Sequence, residues 1–300
     1  MFCSVWGCAM KSDPTQQIRS SAIAGRWYPG SASTLRRDIE SYFETAPQEV
    51  WPGRILGLVA PHAGYAYSGP TAAKAFAQVR GMPFTRVILL GPLHRPVWGS
   101  AMGPFMVPTE DAYRTPLGDV SLDQDFIDRL GGKIALTRVQ GDEEHALEIE
   151  LPFLQVALDR FRLVPIMLGE HVSHPPASGR ATRLSEALAE LVDDRTSAAE
   201  TLLVCSTDLS HMDNYADVVR TDRRLVDLLN AFDLDGVRAA LQREQVQACG
   251  ATGLFVLAET CERLGARGSK VLQYTSSGDV TGDKRPGAYT VGYLAAVIHA

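Results

Sequence analysis

The sequence predicts an α/β fold, with a mostly parallel or mixed central sheet flanked by helices on both faces. Two observations carry this expectation. Six short runs rich in Val, Ile and Leu recur along the chain, with helix-like stretches between them. Strands that alternate with helices build a sheet covered on both sides. The runs are also nearly continuous in apolar residues rather than alternating, as strands buried on both faces are.

The predicted strands are Ile55–Ala60, Arg86–Leu90, Arg162–Met167, Thr201–Cys205, Lys270–Tyr274 and Tyr289–Ile298. The first predicted helix is Ser33–Phe43, whose apolar residues are spaced for one face, with Ser33 as its cap. Pro70–Val79 follows a turn-like Ser68-Gly69, and Leu122–Leu130 follows Ser121, a good N-cap type. Glu144–Leu158 contains Pro152 and so is expected to kink or split there. Ala181–Val192, Thr221–Phe232, Leu234–Gln242 and Gly253–Leu264 complete the helices. Pro104–Val120 reads as a hairpin or excursion. Nothing marks an internal boundary, so residues 21–300 are expected to form a single domain. Residues 1–20 are expected to be a disordered extension, with Met10 as a second candidate start.

Composition bounds the function. The chain has 300 residues, 45% apolar and 21% charged, with a net charge of -6. That balance argues against nucleic acid or an anionic membrane surface as the main target. No apolar stretch approaches the roughly 18 residues that span a bilayer, and the N-terminus lacks the basic start and cleavage site of a secretory signal. The five cysteines are odd in number and scattered, which is no disulfide framework and points to the cytoplasm. Nucleotide-binding glycine loops, a GxSxG elbow and CxxC pairs are all absent.

Three histidines each follow an apolar strand-like run: His62 after Ile55–Ala60, His94 after Arg86–Leu90 and His211 after Thr201–Cys205. Loops at the carboxyl ends of strands line the ligand crevice of open α/β sheets. Three metal-capable side chains delivered there suggest a metal site. Asp208, three residues before His211, can orient an imidazole or cap a short helix. In Asp142-Glu143-Glu144-His145 with Glu148, His145 and Glu148 share a helix face. The spacing alone favours acids placed at a helix dipole over chelation. Cys249 precedes a predicted helix, where a thiol tends toward thiolate, a good ligand for iron, copper or zinc; the alternative is a small core residue. Cys205 and Cys261 lie in apolar runs and are assigned to the core, while His171, His174 and His299 receive no role.

Seven stretches occur in a recognisable order. They are Ala24-Gly25-Arg26-Trp27-Tyr28-Pro29, PHAGYAYSG (61–69), LLGPLH (89–94), YRTPLGDVSLD (113–123), DEEHALEIELPFLQ (142–155), CSTDLSH (205–211) and ACGATG (248–253). Together they resemble the Memo family, which includes the prokaryotic proteins called AmmeMemoRadiSam system protein B, over residues 20–300. The resemblance implies a fold similar to the LigB-type class III extradiol dioxygenases, which hold Fe(II) with two histidines and a carboxylate. It implies metal ligands at His62, His94 and Cys249, with the thiol where the dioxygenases have a carboxylate. It places Asp208, His211 and His145 in the same pocket, as acid, base or orienting groups. Fe(II) is the expected ion, and the softer ligand set admits copper or zinc. The family's Ser-His-His stretch reads Leu93-His94-Arg95 here, so the serine and second histidine are missing. The resemblance further implies AMMECR1-like and radical SAM proteins as partners. Three functions follow: a metal-dependent redox or dioxygenase-like enzyme, a non-catalytic binding scaffold, or a zinc hydrolase.

Overall fold

The computed structural model describes residues 16–97, 102–192 and 200–300. In chain order the strands are β1 (Ile18–Arg19), β2 (Ile55–Ala60), β3 (Arg86–Pro92), β4 (Phe105–Pro108), β5 (Ala112–Thr115), β6 (Gly118–Ser121), β7 (Thr137–Val139), β8 (Arg162–Leu168), β9 (Thr201–Ser206), β10 (His211–Met212), β11 (Gly268–Ser276) and β12 (Thr290–His299). The helices are α1 (Ala32–Glu44), α2 (Tyr65–Ala77), α3 (Gln124–Gly131), α4 (His145–Glu148), α5 (Leu151–Ala157), α6 (Ala177–Val192), α7 (Tyr215–Asn230), α8 (Leu234–Gln242), α9 (Ala251–Arg263) and α10 (Ser277–Thr281).

The large sheet is mixed, with a parallel centre. Strands β2, β9, β3 and β8 lie side by side and parallel. Antiparallel β12 borders β2, and β11 and β10 pair with β12. On the other side β4 runs antiparallel to β8 and carries β7. Every residue of β2 and β9 is buried, as continuous apolar runs in a doubly covered sheet should be. Helix α2 packs on β2, β11 and β12 with α1 and α5 behind it, while α9 packs on β3 and β9 with α6 and α8 behind it. Cys205 and Cys261 are core residues, as expected.

Several boundaries differ from the expectation. Helix α2 starts at Tyr65, so Ser68-Gly69 lies inside it rather than forming a turn. Gly69 serves close packing: a Cβ there would come within 2.9 Å of the Tyr42 ring of α1. Ser121 ends strand β6, and the N-cap of α3 is Asp123, which accepts from the Phe126 N–H. Asn214 caps α7, which starts six residues upstream of the predicted start. The predicted break near Pro152 is present, between α4 and α5. Pro104–Val120 holds β4 and the antiparallel hairpin β5–β6.

The N-terminal boundary at residue 20 falls too late. Ile18–Arg19 pairs with β5, and Arg19 is 2% exposed. Its guanidinium forms ion pairs with Asp142 at 2.9 Å and Glu148 at 2.7 Å. These long-range partners hold in place a segment that carries no hydrophobic period of its own. Residues 1–15 of the expected extension lie outside the described residues. Among the described residues no helix is long and apolar enough to cross a membrane.

Candidate metal site

Because β2, β3 and β9 are parallel, their carboxyl ends deliver three turns to one edge of the sheet. His62 follows β2, His94 follows β3 and Asp208 follows β9, each by two residues. His145 opens α4, Cys249 precedes α9 and His211 begins β10. All six, with Arg26, Trp27, Ala63, Gly64, Ala66 and Tyr67, line one cavity of about 490 Å³. The structure therefore brings every predicted site residue to one place.

Within the cavity His62, His94 and His145 form the tightest group, with one nitrogen from each within 4.8 Å of the others. The His94 and His145 rings stack at 4.6 Å, and His62 meets both edge-on at 5.1 and 5.5 Å. Cys249 stands outside this trio, with its Sγ 3.8 Å from the His211 imidazole. Its turn is tied to the loop after β9: the Cys249 N–H donates to the Asp208 carbonyl at 3.0 Å and the Gly250 N–H to Thr207 Oγ1 at 2.9 Å.

The Nδ1 atom of each clustered histidine faces an oxygen. His62 Nδ1 is 3.0 Å from Ser206 Oγ, whose hydroxyl donates to the Ala146 carbonyl at 2.6 Å. That donation leaves Ser206 Oγ to accept from His62 Nδ1–H. Buried Glu150 is 2.9 Å from the same hydroxyl, and burial holds its carboxyl well above the ordinary range. His94 Nδ1 and His145 Nδ1 both face Glu144 Oε1, at 3.0 and 3.1 Å. An imidazole that donates from Nδ1 keeps the Nε2 lone pair free for an ion.

Glu144 caps α4 and accepts from the N–H groups of His145 and Ala146. Its other oxygen accepts from the His94 N–H at 2.6 Å. Burial pushes its pKa up, but hydrogen bonds from His94 and Ala146 outweigh this and bring it to about 2. The residue read as a helix-dipole acid thus hydrogen-bonds one imidazole and lies against a second. The only sequence signal for it is its place directly before His145. Ser206 and Glu150 carried no signal.

Burial sets the other charges. It lowers His62 well below the ordinary value, with the His94 and His145 charges adding to the effect. It lowers His145 to about 4 despite the attraction of Glu144. His62 and His145 thus favour the neutral form that binds metal. Burial raises Asp208 to about 7 against hydrogen bonds from the His62 and Ala63 N–H groups. It also raises Cys249 to about 12, with the Asp208 charge adding to the rise. The expected lowering of this thiol by the start of α9 is therefore overturned: desolvation outweighs the helix terminus.

Imidazoles grouped with an oxygen beside each Nδ1 are the donor set that iron, copper and zinc take. The residues present fit a metal ion. Asp208 Oδ2 lies 4.0 Å from His62 Nε2, within reach of the same centre. Trp27 covers His145, its ring 4.3 Å away, and Tyr289 stacks on His211 at 6.1 Å.

Fold and site together define an α/β protein with a histidine-lined cavity at the carboxyl edge of its sheet. A family model described as Memo-like protein matches residues 19–297, and the chain belongs to that family. It is 33% identical over 295 residues to a MEMO1 family protein of Methanopyrus kandleri, covering 93% of this chain and 98% of that one. It is 33% identical over 290 residues to one from Methanothermobacter thermautotrophicus, covering 92% and 98%. A relative from Nitrosopumilus maritimus is 30% identical over 290 residues, covering 93% and 98%.

Proposed function

We propose that the cavity holds one metal ion, Fe(II), and uses it in dioxygenase-like redox chemistry on a small substrate. The observation that carries this reading is the convergence of His62, His94 and His145 with an oxygen beside each Nδ1. Geometry and resemblance both support His62 and His94 as ligands. The third place belongs to Cys249 by resemblance and to His145 by geometry, and we favour His145 because its nitrogen joins the group. Bound Fe(II) would supply one-electron chemistry and open positions for O2 and substrate.

The remaining residues bind and orient. Trp27 and Tyr67 give the substrate apolar faces, and a cavity of about 490 Å³ suits a small molecule. His211 is placed to take or give a proton at the substrate, with Cys249 beside it. Asp208 holds the His62 turn through its backbone.

Elemental analysis of protein purified without oxygen tests the reading. One iron per chain, lost in His62→Ala and His145→Ala and kept in Cys249→Ala, is the expected result. Loss in Cys249→Ala with retention in His145→Ala returns the third place to the thiol. Three histidines are also a donor set of catalytic zinc, so zinc in place of iron moves the proposal to a hydrolase. Copper would keep the redox reading with another ion. A folded protein that binds no metal on titration would leave a ligand-binding scaffold.

Resemblance also motivates partnership with AMMECR1-like and radical SAM proteins, and a cytoplasmic location agrees with the free state of Cys205, Cys249 and Cys261. Co-purification from cells with the tagged chain tests the partners, and fractionation tests the location.

A further inference from the structure

We propose that Arg19 and Glu144 form a positioning pair through which the N-terminal strand sets the ring orientation of His94 and His145. Glu144 and His145 ride on a short turn that enters α4. That turn has little to hold it locally, since α4 is a single turn, His145–Glu148.

What fixes the turn comes from more than a hundred residues away. Arg19 Nε donates to Asp142 Oδ1 at 2.9 Å, Nη1 to Glu148 Oε2 at 2.7 Å and Nη2 to the Glu144 carbonyl at 2.7 Å. The three acceptors lie before, within and after the segment bearing Glu144 and His145. Asp142 Oδ1 also accepts from the Glu144 N–H at 3.1 Å. The Tyr113 ring lies 4.6 Å from the guanidinium carbon and closes its other side. A planar guanidinium reaches three directions at once, which a lysine ammonium on a flexible stem does not reproduce.

The charges divide accordingly. Arg19 forms its ion pairs with Asp142 and Glu148. It touches Glu144 only at the carbonyl, so the Glu144 carboxylate is left facing the imidazoles. A carboxylate that accepts from Nδ1 fixes the tautomer and raises the basicity of the opposite nitrogen. Here the carboxylate is hydrogen-bonded to His94 Nδ1 at 3.0 Å and sets its charge 3.1 Å from His145 Nδ1.

The test uses the full-length, metal-free chain. Imidazole ¹⁵N NMR reads the tautomers directly, and Zn(II) titration reads affinity. Wild type is expected to show Nδ1–H at His94 and His145. Both rings face the one oxygen Oε1, which a glutamine would keep, so the test variant is Glu144→Ala, which removes the acceptor and should lose the Nδ1–H form at one or both rings. Zn(II) affinity should then fall about 10–100-fold. Arg19→Lys should shift the same two histidines without shifting His62. Leu188→Ala, a remote core change in α6, serves as the stability control and should leave the tautomers unchanged.

Unchanged tautomers in Glu144→Ala, or equal effects of Arg19→Lys and Leu188→Ala, would overturn the pairing. The affinity readout rests on the metal reading, but the tautomer readout does not. A wild type with the expected tautomers, lost in both variants, and no Zn(II) binding would sustain the positioning pair while removing the metal.

Discussion

The backbone N–H of His62 donates to Asp208 Oδ1 at 2.8 Å, joining the turn after β2 to the turn after β9. The contact makes a buried carboxylate part of the scaffold as well as the cavity wall. Asp208→Asn keeps an oxygen for the His62 N–H and is expected to unfold close to wild type. Asp208→Ala orphans that donor and should cost about 1–3 kcal/mol. Urea denaturation of both variants measures the difference, and equal stability of the two would deny the scaffold role.

Ser206 makes a second test of the same wall. Its hydroxyl meets His62 Nδ1, the Ala146 carbonyl and Glu150. Ser206→Ala should destabilise the fold by about 1–3 kcal/mol, because buried polar groups lose their partner. It should also weaken metal binding about tenfold by freeing the His62 ring. Isothermal titration with Fe(II) or Zn(II) under nitrogen checks the second effect.

Glu148 predicts an acid limb in the stability profile. Burial opposes its ionisation, but the Arg19 charge and hydrogen bonds from Ser21 and the Ala22 N–H lower its pKa below the ordinary 4.5. The ionised carboxylate therefore stabilises the fold above that value, and this contribution is lost as pH falls through the folded pKa. Asp142 acts in the opposite sense, because burial raises its pKa. Glu148→Gln should cost about 3 kcal/mol at neutral pH and flatten the acid limb. Thermal melts of both proteins between neutral pH and the acid range measure it, and parallel profiles would rule out this role.

Gly250 predicts a steric effect beside Cys249. A Cβ there would come within 2.6 Å of the Ser206 carbonyl oxygen and 2.8 Å of Thr207 Cβ. Gly250→Ala should cost about 1–3 kcal/mol as the turn shifts. Chemical denaturation gives the cost, and a neutral result would mean that the turn moves freely.

The strands were the legible part of the fold. β2 and the cores of β3, β8 and β9 follow from unbroken apolar runs, because a strand covered on both faces needs apolar residues at every position. Helix starts were less legible. Gly69 looks like a turn residue in sequence and is a packing residue beneath Tyr42. Strand β1 was not legible at all, since two residues paired to β5 carry no period.

The site divides in the same way. The six predicted residues share one cavity because strand order and parallel direction bring their turns to one edge. Glu144 and Ser206 were missed because their function is a direction, and direction is set by contacts across the chain. Cys249 illustrates the converse: helix position predicts a low pKa, and burial reverses it.

By itself, the sequence determined the α/β class, the central strands and the set of metal-capable residues. Hydrophobic runs and residue types are local quantities that survive without a fold. The tertiary structure alone decided that three histidines group tightly while Cys249 turns to His211, and that Arg19 braces the site from the N-terminus. Those outcomes depend on long-range hydrogen bonds and desolvation, which exist only once distant segments are packed together.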